Sequence, residues 1–212
     1  TNTYGGTTTV SAGTLTLNGG TAISDTAGTV DVAAGATLTL GANETVSALT
    51  SAGTINGAFT LQAATYGLTA GQVDSNLGTG TLTKSGAGTA TLNGTAGATT
   101  VNVTAGTLTL GSTERLANAA AVTVDGTLNL GGAETIGSLA GAGTGSVANG
   151  GFLLTVGDAA SNTIFAGAIS GGGGLTKVGA STQVLSGTNT YGGTTTVSAG
   201  TLTLNGGTAI SD

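Results

Sequence analysis

Residues 1–25 read TNTYGGTTTVSAGTLTLNGGTAISD, and residues 188–212 repeat them without a difference, at an offset of 187 residues. Two such copies read as the start of one repeat and the start of the next. The chain is therefore expected to be a window on a tandem array, and repeat architecture takes precedence over any local assignment. Within the copy, Thr14-Leu-Thr-Leu17 alternates apolar and hydroxyl side chains, as a half-buried strand does. Gly13 and Gly19-Gly20 punctuate it as turns.

Working outward, a shorter period appears. Val10–Leu17 returns in slightly changed form as Val103–Leu110 and unchanged as Val197–Leu204, at offsets of 93 and 94. Asn43-Glu-Thr-Val46 returns as Ala133-Glu-Thr-Ile136, and Gly80-Thr-Leu-Thr-Lys84 as Gly173-Gly-Leu-Thr-Lys177. The chain thus reads as one continuous segment, 1–212. Its half-repeats span approximately 1–93 and 94–187, and 188–212 restart the repeat.

The same alternation recurs at Thr37–Leu40, Thr81–Thr83, Thr99–Val103, Thr107–Leu110, Val122–Val124, Thr127–Leu130 and Thr201–Leu204. It predicts Leu15, Leu17, Leu38, Leu40, Leu82, Leu108, Leu110, Leu128, Leu130, Leu202 and Leu204 pointing inward, with the intervening Thr outward. Thr113–Ala121 has the only helical composition and is read as a loop excursion holding at most one helical turn. Comparable strands end at Leu17, Leu40, Gln62, Lys84, Leu110, Leu130, Val156, Lys177 and Val197, about every 20–25 residues, which is rung-sized for a β-solenoid. Roughly nine rungs would make a rod on the order of 40–45 Å long.

Composition agrees. The chain has 42 Gly, no Pro, Cys, Met, Trp or His, and 38% apolar residues. Pro is scarce where strands pair on both sides. Without Cys there is no disulfide framework or thiol chemistry, and without His the commonest base and metal ligand is missing. A net charge of −6 with three basic residues disfavours nucleic acid and anionic membranes as partners. No apolar run is long enough to insert in a membrane as a helix.

Each candidate for chemistry reads as structural. The nine acids, Asp25, Asp31, Glu44, Asp74, Glu114, Asp125, Glu134, Asp158 and Asp212, are dispersed and expected to be solvated. Glu44 and Glu134 occupy equivalent positions about four rungs apart, and Asp31 and Asp125 look equivalent, so no pair can flank a glycosidic bond. A nucleophilic Ser is unsupported, because no His is present and Lys84 and Lys177 sit in repeated, structural positions. The Gly-rich calcium nonapeptide is absent, and Gly171–Gly174, lacking a following Gly-Lys-Ser/Thr and a helix, is a turn. No catalytic, cofactor-binding or metal site is expected. Tyr4 and Tyr191, one repeat position, are read as packing aromatics. The Thr pairs 14/16, 37/39, 81/83, 107/109 and 201/203 would form a flat outward array if their strands shared a face.

Ile169-Ser-Gly-Gly-Gly-Gly-Leu-Thr-Lys177, followed by Leu185–Leu204, resembles the autotransporter-associated β-strand repeat of large bacterial autotransporter adhesins. Glu134–Gly143 is similar to the segment usually found between such repeats. The resemblance implies a right-handed parallel β-helix in a passenger domain, secreted and displayed on a Gram-negative cell surface. The expected function is a non-catalytic stalk of a surface adhesin or filament. Its partners would be neighbouring repeats or like chains, end-to-end and lateral, and a host, cell or abiotic surface. The competing readings are a self-assembling filament subunit, a carbohydrate-active solenoid and an ice-binding solenoid. The two 25-residue copies are expected to share one conformation, displaced along the rod by about 40 Å.

Overall fold

A computed structural model describes residues 5–23, 26–157 and 161–205. Every strand pairing among them is parallel, and none of them is helical. The chain winds as a β-solenoid with three faces. Face A carries Thr7–Val10, Thr29–Val32, Ala48–Ser51, Thr65–Leu68, Thr81–Lys84, Thr100–Val103, Ala121–Val124 and Ser138–Ala140. A bridge between Gly141 and Phe165 continues it into Thr163–Phe165, Thr182–Leu185 and Thr201–Leu204.

Face B carries Thr14–Leu17, Thr37–Leu40, Thr54–Asn56, Gly71–Val73, Thr89–Leu92, Thr107–Leu110, Thr127–Leu130, Ser146–Ala148, Ala168–Gly171 and Thr190–Tyr191. Face C is thinner. Glu44–Thr45, Thr60–Gln62 and Asn76–Leu77 give way to single bridges at Ala96 and Leu116. Glu134–Ile136, Leu154–Val156, Leu175–Lys177 and Thr195–Val197 then resume it.

The solenoid has about ten turns. The sequence count of roughly nine agrees closely with this, although the strand ends it used drift between faces: Leu17 and Leu40 lie on B, Gln62 on C and Lys84 on A. Coils also differ in length, with register offsets of 22 residues between Thr7 and Thr29 but 16 between Thr65 and Thr81.

The core is one inward column per row. Leu17, Leu38, Leu40, Leu82, Leu108, Leu110, Leu128 and Leu130 are buried, as the alternation predicts. Leu15 and Leu202 are only partly buried and Leu204 is 43% exposed, a correction to the inward set. Their strands, Thr14–Leu17 and Thr201–Leu204, each pair with a single described neighbour, so half of their packing partners are missing. The 113–121 segment holds no helical turn; it crosses face C through the Leu116 bridge, with Glu114 at φ 49°.

The two 25-residue copies fold alike locally but lie on different faces. Thr7–Val10 is on face A and Thr14–Leu17 on face B. Their counterparts Thr195–Val197 and Thr201–Leu204 are on faces C and A. The turn glycines match, Gly13 at φ 72° and Gly200 at φ 69°. Residues 1–4, 24–25 and 206–212 of these copies lie outside the described residues.

Candidate functional site

The chemistry of this rod is concentrated in four buried charges. Period 2 in Thr81-Leu-Thr-Lys84 puts Lys84 on the same side as Leu82, hence inward. The residue is fully buried. Its stem lies in the apolar column between Leu68 and Val103 of the adjoining coils. Its ammonium donates to the carbonyls of Ser85 (2.7 Å) and Gly86 (2.9 Å) in its own turn and of Ala105 (3.1 Å) one coil on. Three donors meet three acceptors, which satisfies the group completely. Burial lowers its pKa.

Lys177 repeats the arrangement on face C. It is buried between Val156 and Val197 and donates to the carbonyls of Val178 and Gly179 (3.1 Å for the latter). Its pKa is likewise lowered by burial. In each case the glycine of the next coil's turn faces the ammonium. A Cβ on Gly106 would lie 2.8 Å from Lys84 Nζ, and one on Gly200 2.9 Å from Lys177 Nζ. These turns need glycine both for the positive φ and for that approach.

Glu44 and Glu134 are not solvated, which corrects the sequence expectation. Both are buried at the start of face C strands. Glu44 accepts the backbone N–H groups of Ala22 (3.2 Å) and Ile23 (2.7 Å), and Glu134 those of Arg115 and Leu116 (2.8 Å each). Each carboxylate therefore takes over where a neighbouring coil passes face C without a full strand: Glu134 takes the N–H groups of Arg115 and Leu116, and Glu44 that of Ile23, while the Ala22 N–H also donates to the Gly19 carbonyl (2.9 Å). The two lie five coils apart, one more than the spacing suggested. Burial pushes the Glu134 carboxyl up to about 7 against the two N–H donors that favour its ionised form; the nearby Glu114 carboxylate adds to the rise and Arg115 opposes it.

The remaining acids do not converge. Asp31 lies in the outward row of face A between Thr9 and Thr50. In that register its counterpart is Thr123, not Asp125, so the apparent equivalence fails. Asp125 accepts the N–H of Ala142 (2.8 Å), and Asp74 accepts from Gln72 and Asn93. Glu114 accepts from Thr135 (3.0 Å). Asp25, Asp158 and Asp212 lie outside the described residues.

The Thr pairs split between two faces, 14/16, 37/39 and 107/109 on B, 81/83 and 201/203 on A, so they do not form one array. Tyr191 is buried with its hydroxyl 2.7 Å from Thr195 Oγ1, whereas Tyr4 lies outside the described residues. Gly171–Gly174 rounds the corner from face B to face C. The buried carboxylates and the ammonium cages were the features sequence reading missed. The signal was present: Glu44-Thr-Val46 and Glu134-Thr-Ile136 alternate, which places each Glu on the side of a buried Val or Ile.

No curated protein and no solved structure matches the chain. The passenger-associated-transport-repeat family matches at residues 1–17, 82–110 and 175–204. The two longer matches each contain a caged lysine, its turn and the facing glycine, Lys84 with Gly106 and Lys177 with Gly200. Three stretches of this continuous parallel solenoid are thus similar to the passenger-associated transport repeat, and together they match the pattern of an autotransporter passenger repeat region.

Proposed function

We propose that the segment is a non-catalytic, structural stalk of a secreted, cell-surface adhesin or surface filament. It acts by extension and by association with neighbouring repeats, like chains or a surface. The observation that supports this reading is the use of the buried charges. Lys84, Lys177, Glu44 and Glu134 all spend their hydrogen bonds on backbone groups, tying turns and coils together. A reactive lysine or carboxylate would instead be turned toward a substrate-sized opening with a partner group beside it. Among the described residues no three acids lie close enough to hold a metal ion. The passenger-repeat family supports an exported location.

The test is a panel of glycan and ester substrates incubated with the purified chain, alongside X-ray scattering for the rod. The expected result is an elongated particle with no turnover. Hydrolysis that disappears in Asp31→Asn or Glu44→Gln, with scattering unchanged, would overturn the reading. Labelling of intact producing cells with an antibody against the segment checks the location: a signal only after cell lysis would count against surface display.

A further inference from the structure

We infer that the sequence period and the winding of this solenoid are out of step by one face, so that tandem copies of the module show the same side chains on successive sides of the rod. From Thr7–Val10 on face A to its counterpart Thr195–Val197 on face C, the chain makes nine turns and two further faces. The same holds between Thr14–Leu17 on B and Thr201–Leu204 on A. The rise is roughly 46 Å at ~4.8 Å per coil.

The slip can be located. Up to Leu154 the two half-repeats keep phase: Thr29–Val32 and Ala121–Val124 share face A, Thr37–Leu40 and Thr127–Leu130 face B, Thr60–Gln62 and Leu154–Val156 face C. Twenty residues then separate Gln62 from Leu82, and twenty separate their counterparts Thr155 and Leu175. In the first stretch the chain lays down three strands, Thr65–Leu68, Gly71–Val73 and Asn76–Leu77, one on each face. In the second, the described residues form two, Thr163–Phe165 on A and Ala168–Gly171 on B. The next strand, Leu175–Lys177, therefore falls on C, where its counterpart Thr81–Lys84 fell on A. Equal chain length with one strand fewer is a loss of one third of a turn.

The local module survives the slip because its cage is built only from its own turn and the next coil. Lys84 uses the corner from A to B, and Lys177 the corner from C to A. Nothing in the lysine, its carbonyls or the facing glycine depends on which corner is used. In a tandem array of this 187-residue period, a module returns to its first face only at the third repetition, after 29 turns. Outward residues such as Thr14 and Thr16, repeated as Thr201 and Thr203, then appear on every side of the rod. A partner that reads the module meets it from any direction, and like rods cannot pair along one flat, uniformly repeated face.

The chain has no cysteine, so paired substitutions give a clean reading. Adjacent coils place Cα atoms within disulfide range. In the full chain, oxidised with a copper catalyst, Thr155→Cys with Thr176→Cys and Ile164→Cys with Val184→Cys should cross-link nearly completely, because both pairs are register partners. If the half-repeats kept phase, Thr176 would lie beside Ile164, as Thr83 lies beside Gly67, and Val184 beside Ser170. Cross-linking of Ile164→Cys with Thr176→Cys or of Ser170→Cys with Val184→Cys would overturn the inference. So would failure of the first two pairs in a chain whose scattering and circular dichroism match the parent's.

Discussion

Replacing Gly106 by alanine isolates what one coil asks of the next. Gly106 sits at φ 62°, and an alanine there bears left-handed strain of about 1 kcal/mol. The new methyl would also lie 2.3 Å from the Gly86 carbonyl oxygen, 2.4 Å from that of Gly88 and 2.8 Å from Lys84 Nζ. Backbone oxygens of a stacked coil cannot step aside singly, and the ammonium can leave only by giving up carbonyl partners. Each such charged hydrogen bond is worth about 1.5–3 kcal/mol. The expected total for Gly106→Ala is thus about 3–5 kcal/mol. Gly86→Ala is the control. It has nearly the same φ, 71°, but its methyl would meet nothing closer than 3.7 Å, so strain of about 1 kcal/mol is all it should cost. Equilibrium urea unfolding of both variants gives the difference, and hydrogen exchange over residues 84–106 shows whether the loss is local. A Gly106→Ala cost equal to that of Gly86→Ala would refute the reasoning, since stacking and the caged ammonium would then contribute nothing.

Three further outcomes are expected. The Glu134 carboxyl, held at about 7, binds its proton more tightly folded than unfolded, so stability should fall as pH rises from about 4.5 to about 7. The fall is up to about 3 kcal/mol; urea titrations across that range should show it in the parent and not in Glu134→Gln. Glu44→Ala leaves the N–H of Ile23 without its acceptor, while that of Ala22 keeps the Gly19 carbonyl (2.9 Å), so exchange should quicken at Ile23 more than at Ala22, at a cost of about 1–3 kcal/mol. Leu110→Ala, at a fully buried site with coils on both sides, should cost about 2–5 kcal/mol, while Leu204→Ala, 43% exposed, should lower the thermal midpoint little.

Much of this was legible in the amino-acid sequence. Alternation in segments such as Thr37-Leu-Thr-Leu40 fixes strands with one apolar side, and glycine at positions such as Gly13 and Gly106 fixes the turns between them. Short strands that cannot bury that side alone must stack, which yields the parallel solenoid without reference to coordinates. Alternation even placed Lys84, Lys177, Glu44 and Glu134 inward, but composition, with its preference for solvated charges, pointed the other way. What satisfies the buried carboxylates, and the third donor of Lys84, lies a coil away, some 18–22 residues along the chain, and periodicity does not show which backbone groups are left open there. The face on which each copy lies was decided by tertiary structure alone. A face is one third of a turn, and its assignment accumulates along the chain. It depends on whether a stretch such as Gln62 to Leu82 lays down three strands, or its counterpart two. Stacking against the previous coil settles that count; the repeat period, identical in residues, does not contain it.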